Sequence, residues 1–504
     1  MATYQGMMTK KGVGATASKE DLDIGMSTSG EVVLTMTEAL DRAGMGAFQK
    51  RIMAICGVCS AGDAMEALLL SFLLQDIKSE WNLEKGVDGL LGAVVFLGVF
   101  IGSLMSGLIS DKFGRWYGFV ITASMTTVFG LLSATAPSIT MLCVWRFFVG
   151  VGLGGGHTSF TLFTEFLPSE NRGKMLLLNQ AFWSCGAVLE VVLAWNILPH
   201  YGWRTLLIVS AVPGIVVLAL SAWMPESPRY LAVQGRLTDA RDLISRVSRV
   251  NGSSLHLQSW TLAPVPHSHH TTISEKVSVL YSAALWPTTS RLWALWFSSS
   301  LLYYGVIFLS PRFFTNDTPQ DYYISLLIAS LAEFPALLVP YTVIDVWGRR
   351  RTLATLYAVC AVACLVLTLQ LRSTLDVAIV FMARGGVSAA FISLYVVTAE
   401  SYPTSLRSTG FGVASCVARM AGISTSFLSE DASVSLALMA FATTAAIASY
   451  VSMHLPNETA NKALPSELAT LPEALDSSGH GLLDDGERSG SIPRTKVTRS
   501  TTSA

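Results

Sequence analysis

The chain has 504 residues, of which 51% are apolar and 14% charged, with a net charge of −1 and a mean hydropathy of +0.49. That balance excludes a soluble multidomain protein and places the chain among polytopic membrane proteins. A near-zero charge, with no basic stretch interleaved with aromatics, also excludes a nucleic-acid-binding surface.

Residues 1–51 are polar and hold no short apolar core with a small-residue cleavage site. They read as a cytoplasmic N-terminal tail rather than a removable signal peptide. Apolar runs near the ~20 residues that cross a bilayer follow at 52–73, 89–110, 117–136, 140–164, 175–198 and 204–224. After a polar stretch they resume at 292–311, 322–343, 352–371, 375–399, 408–428 and 433–455. The expectation is an all-α membrane protein with twelve transmembrane helices in two six-helix halves, 52–224 and 292–455. Lys112, Arg115, Arg172, Lys174, Arg349, Arg350, Arg351 and Arg407 fall in alternate short loops, which puts those loops and both termini on the cytoplasmic side.

Residues 225–291 then form a cytoplasmic linker, and "RYLAVQGRLTDARDLISRVSRV" has the apolar spacing of one or two short amphipathic helices. His267, His269 and His270 lack Cys or acidic neighbours at ligand spacing, so no metal site is expected. Residues 456–504 are rich in Ser, Thr, Gly and Pro and read as a disordered cytoplasmic tail. All seven cysteines fall in apolar runs, which supports no disulfide framework. G-x-S-x-G, H-E-x-x-H and G-x-x-x-x-G-K-[ST] are absent, so neither an enzyme nor an ATP-driven pump is expected, and no cofactor.

The two halves repeat each other. "SDKFGR" and "IDVWGR" align Asp111 with Asp345, Gly114 with Gly348 and Arg115 with Arg349, each pair 234 positions apart. "EFLPSENR" and "ESYPTSLR" align Glu165 with Glu400 and Arg172 with Arg407, each 235 apart. Two motifs in one order at nearly one spacing imply a duplicated unit. Gly107 suits a close helix approach and Gly114 a tight turn. Asp111 suits holding a neighbouring loop or helix N-terminus, with Arg115 paired to an acid such as Glu165. Together these residues are the expected conformational latches, released as the halves rock.

"GLISDKFGR", "RFFVGVGLGGG" and "PESPRYL", in that order, resemble the signatures of the major facilitator superfamily, and the resemblance covers residues 40–460. Within it the chain is most similar to the synaptic-vesicle-protein-related (SVOP and SVOP-like) group, through "DAMEALLLSF", "TEFLP", "FW" with Glu190, "GWR", "YYG", "EFP" and "YPTSLR". The resemblance implies a carrier of a small organic ion working by alternating access, in the plasma membrane or a vesicle membrane. Related proteins carry nicotinate-like acids, organic cations or sugars. A sugar-type porter and a transporter-shaped sensor that moves nothing stay open as alternatives. Tyr341 stands where the second loop motif normally starts with Gly, which predicts looser packing there.

Seven acidic or arginine side chains fall well inside the apolar runs, away from their ends: Asp63, Glu66, Arg146, Glu190, Glu333, Arg384 and Arg419. Each costs at least about 2.5 kcal/mol at the bilayer centre, so such groups face a bundle interior or a wet cavity. Asp63 and Glu66, three apart, share a helix face. Arg146 pairs with Glu190 or, as resemblance to proton-coupled sugar porters implies, with Asp63. These four are the expected proton or ion-coupling groups. Glu333 precedes Pro335, where a helix is weakened, and Arg384 or Arg419 neutralises it or holds a substrate carboxylate. His157 is the one histidine expected in the membrane. The resemblance implies that aromatics of helices five and seven, Trp183, Tyr303 and Tyr304, face a central cavity where a planar or cationic substrate stacks. The expected partners are that small organic ion, protons and the lipid bilayer. "NDT" makes Asn316 an outer-side glycosylation candidate.

Overall fold

A computed structural model describes residues 32–82, 87–169, 172–257, 259–264, 273–314, 318–369, 374–402, 406–430, 432–456 and 458. Asn316, the three linker histidines, both outermost tails and the side chains of Tyr341 and Asp345 lie outside the described residues. In chain order the elements are β1 (Val32–Leu34), α1 (Met36–Ala43), α2 (Ala47–Trp81), α3 (Val87–Phe113), α4 (Arg115–Ser133), α5 (Ile139–Gly154), α6 (His157–Glu165), α7 (Arg172–Ser210) and α8 (Val212–Ser221). They continue as α9 (Pro228–Val233), α10 (Leu237–Asn251), β2 (Trp260–Leu262), α11 (Ile273–Leu280), α12 (Trp286–Phe313), α13 (Pro319–Leu331) and α14 (Glu333–Trp347), then α15 (Arg349–Leu367), α16 (Thr374–Ser401), α17 (Arg407–Glu430) and α18 (Val434–Met453).

Among the described residues, eleven helical stretches are long and apolar enough to cross a membrane, and one of them, Lys174–Ser221, has 48 residues. At 1.5 Å per residue that is about 70 Å of helix, over twice the ~30 Å hydrocarbon core. Gly202, with φ 74, takes a non-helical conformation shortly after Pro199 and turns the chain back, so this stretch crosses twice. The result is twelve spans in two sets of six. Three spans are broken inside the membrane: the fourth between α5 and α6, the sixth between α7 and α8, and the eighth between α13 and α14. In the eighth, Pro335 has no N–H to give the Leu331 carbonyl, and α13 ends at Leu331.

Part of the polar N-terminal segment is folded. β1 pairs in parallel with β2, Val33 opposite Thr261, and Thr35 caps α1 through a reciprocal bond with Glu38. Leu34, Leu40, Ile244 and Trp260 join Phe163 and Phe166 in a second apolar core beneath the membrane bundle. Asn251 ties the cap together, accepting from the Phe48 N–H and donating to the Gly44 carbonyl.

The halves meet in the outer parts of their helices. Phe96 of α3 meets Tyr304 of α12 edge-on at 4.8 Å, and Trp195 of α7 lies parallel to Tyr323 of α13 at 6.2 Å. A Cβ on Gly92 would fall 2.5 Å from the Ser426 hydroxyl of α17, so glycine sets the close approach there.

Candidate transport pathway

In the N-terminal half, the Arg146 guanidinium donates to Glu66 Oε2 at 2.7 Å, with the two side chains 1% and 3% exposed. Neither partner expected from the sequence holds it. Glu190, fully buried, instead accepts from the Ser210 hydroxyl at 2.9 Å. Asp63 is half-buried and lies against Gly156, where a Cβ would come within 2.6 Å of its carboxylate. The reason is rotational: Glu66, one turn beyond Asp63, is the residue of the pair that reaches the depth of Arg146. Glu66 Oε1, Glu190 Oε1 and Arg146 Nε and Nη2 have no hydrogen-bond partner among the described residues. Three acids and one base thus share one region.

In the C-terminal half the break at Ala332 presents Glu333 to Arg384, which donates to it from Nε at 3.1 Å and Nη2 at 2.8 Å. The Tyr303 hydroxyl adds a third bond at 3.3 Å and itself accepts from Trp183 Nε1 at 2.7 Å, linking α7 to α12 across the seam. Tyr303 and Tyr304 are buried there, in the seam between the halves. With Glu333 satisfied by Arg384, Arg419 does not neutralise it. Arg419 is half-buried, its Nε has no hydrogen-bond partner, and no carboxylate among the described residues pairs with it. It lies within electrostatic reach of His157, which is exposed, and of Tyr395. Tyr395 packs on Phe391 and Phe411, and sequence reasoning missed this aromatic wall because an apolar run hides which face looks inward.

At the inner ends, Arg115 donates to Asp111 at 2.6 Å and lies 3.4 Å from Glu165. The N-terminus of α4 is held not by Asp111 but by Glu226 of "PESPRYL", which accepts from the Arg115 N–H at 2.9 Å and the Trp116 N–H at 3.1 Å. Gly114, φ 118, leaves no room for a Cβ beside that carboxylate. The second half copies the device: Glu458 accepts from the Arg349 and Arg350 N–H groups beside Gly348, φ 84. Glu400 takes Arg349 through two bonds of 2.9 Å. The Arg349–Glu400 pair is therefore the tighter of the two, because Arg115 divides its guanidinium between two acids. Gly107 is at no close approach, as nothing lies within 4 Å of a Cβ there. Arg172 donates to the Leu167 carbonyl at 3.0 Å, and Arg407 Nε and Nη2 have no hydrogen-bond partner among the described residues.

Twelve spans in two pseudo-equivalent sets, buried charges at mid-depth and acid-capped loops on one face define a secondary transporter of the major facilitator class. Residues 52–455 match the family described as "Sugar (and other) transporter", and the chain belongs to it. It is 33% identical to a synaptic vesicle 2-related protein of Bos taurus, over 90% of this chain and 87% of that one. It is 34% identical to the organic cation/carnitine transporter 7 of Arabidopsis thaliana, over 78% of this chain and 87% of that one. Its fold matches the partially occluded inward-open xylose transporter XylE from E. coli with a TM-score of 0.67, at 16% identity, over 83% of this chain and all of that one. The protein is a multi-pass membrane transporter and not an enzyme.

Proposed function

We propose that the chain carries a small organic anion, driven by protons, by alternating access across the plasma membrane or a vesicle membrane. The observation that carries the reading is Arg419: a half-buried cation with no acidic partner among the described residues, within electrostatic reach of His157 and Tyr395. A guanidinium suits bidentate capture of a carboxylate, and the aromatic wall suits a planar body. Proton coupling is supported by the N-terminal half, where Asp63, Glu66 and Glu190 gather around the single cation Arg146. Three acids beside one base leave acid in excess, and a proton is the ligand that offsets it. The twin Glu226 and Glu458 caps supply the inner latches.

Uptake into proteoliposomes under an imposed proton gradient tests this, with nicotinate and benzoate as anionic probes, tetraethylammonium as a cationic one and xylose as a sugar. The anions accumulate in the wild type, and Arg419→Ala abolishes that accumulation. Accumulation of tetraethylammonium or xylose instead, or anion uptake untouched by Arg419→Ala, overturns the reading.

A further inference from the structure

A groove of about 410 Å³ opens at the inner ends of α3 and α4, beside α9, with Phe113, Trp116, Tyr117, Tyr230, Glu226 and Arg236 on its walls. Tyr117, Ile121 and Val128, four and seven residues apart on α4, are all exposed and share one face of that span. In a bilayer such a face lies against acyl chains, and the aromatic residue at its end stands at headgroup depth. Trp223, 77% exposed at the inner end of the sixth span, marks the same level. The rings are held in place before anything binds. Trp116 Nε1 donates to the Ser221 carbonyl at 2.9 Å, the Tyr230 hydroxyl to the Lys112 carbonyl at 3.1 Å, and Trp116 meets Tyr117 at 4.9 Å and 83°. Glu226 brings a negative charge to these rings, but its acceptors are already given to the N–H groups of Arg115, Trp116 and Ser227. A primary ammonium has three donors that need acceptors, whereas a quaternary ammonium asks only for charge and π-faces. Two bases stand at the rim: Lys112, whose Nζ lies 5.3 Å from the Phe113 ring centroid, and Arg236, whose Nε goes to Asp239 at 2.7 Å.

We propose that this groove binds the headgroup of a phosphocholine lipid of the cytoplasmic leaflet. The trimethylammonium sits among Trp116, Tyr117 and Tyr230 beside Glu226, the phosphate meets Lys112 and Arg236, and the acyl chains follow the Tyr117, Ile121 and Val128 face of α4. One acid among the rings and two bases at the rim match a zwitterion whose cation is the terminal group. The proposal depends neither on the cargo nor on its coupling. Because Glu226 and Trp116 also form the cap of α4, a seated headgroup rests against the inner latch of the N-terminal half.

The test is native mass spectrometry of the full-length protein, released from detergent with equimolar phosphatidylethanolamine, its N,N-dimethyl derivative, phosphatidylcholine and phosphatidylglycerol of identical acyl chains. Retention by the wild type rises with the number of methyl groups, and phosphatidylcholine exceeds phosphatidylglycerol. Tyr117→Leu keeps an apolar side chain on the exposed face but loses the π-face, and it weakens phosphatidylcholine retention about three- to tenfold, the worth of one cation–π contact. Tyr117→Phe restores it, and retention of phosphatidylethanolamine and phosphatidylglycerol is the same in all three proteins. Glycerophosphocholine, which has the headgroup without acyl chains, does not compete at the lipid's own concentration. Equal retention of phosphatidylethanolamine and phosphatidylcholine, a preference for phosphatidylglycerol, phosphatidylcholine retention unchanged by Tyr117→Leu, or full competition by glycerophosphocholine overturns the proposal.

Discussion

Replacing Arg146 by Met leaves Glu66 buried without its cation, and the structure sets the size of the effect. The pair is 2.7 Å long with both side chains almost fully buried, and removing one partner of such a pair costs about 3–5 kcal/mol. The bond is single, with Arg146 Nε and Nη2 and Glu66 Oε1 left over, so the lower end, ~3 kcal/mol, is expected. The Glu66→Gln/Arg146→Met double variant removes both charges and recovers most of the loss, because a neutral pair of similar volume is close to neutral for stability. Thermal unfolding of the purified proteins measures both effects. A loss under about 1 kcal/mol, or a double variant no more stable than Arg146→Met, refutes the assignment of Glu66 as the partner.

Gly130→Ala would place a methyl 2.9 Å from Glu66 Oε1, whereas Gly107→Ala meets nothing within 4 Å; proton-driven uptake falls in the first and is unchanged in the second. Glu226→Gln removes the negative charge from the start of α4 and costs about 1 kcal/mol of thermal stability, while Glu165→Gln, whose acid sits 3.4 Å from a shared Arg115, costs less. Burial pushes the Asp76 carboxyl up from its ordinary range, so the folded state holds that proton more tightly than the unfolded chain. Its stability contribution is complete below the usual carboxylate range and is lost as pH rises through the folded value. Asp76→Asn therefore unfolds at a higher temperature than wild type at pH 7.5 and at the same temperature near pH 4, a difference under about 1 kcal/mol for a half-exposed group.

The spans were readable because a bilayer-length apolar run has few alternatives, and the duplication because Asp111, Gly114 and Arg115 recur at one offset in Asp345, Gly348 and Arg349. Which ionisable residues enter the membrane was equally plain. Their partners were not: pairing depends on depth and rotation to within half a turn, and Glu190 and Asp63 were the partners weighed for Arg146 where the structure has Glu66. Glu226 stood in a quoted motif, yet a cap is a bond to backbone N–H groups that no side-chain pattern records. Ser210 left no mark, because hydroxyls in spans commonly bond their own helix four residues back. The β1–β2 pairing joins three-residue strands more than 200 positions apart, below any local periodicity.

Each half holds one buried acid–arginine pair, Glu66 with Arg146 and Glu333 with Arg384, and the asymmetry lies in what remains. The N-terminal half has acid left over in Asp63 and Glu190; the C-terminal half has base left over in Arg419. On the proposed function a proton on one of those acids and a carboxylate at Arg419 each cancel one of those charges, in different halves. Either alone leaves the opposite half with a charge that must be desolvated when the inner latches close, at a cost of several kcal/mol per ion. Both together cancel the spare base and one of the two spare acids, so less charge is left in each half than with either alone. The coupling then needs no direct contact between proton and substrate, because the shared quantity is the charge enclosed when Glu226 and Glu458 bring their loops together. A neutral sugar would leave Arg419 uncompensated in that step, which is the electrostatic argument for an anion as cargo in a fold whose matched structural neighbour carries xylose.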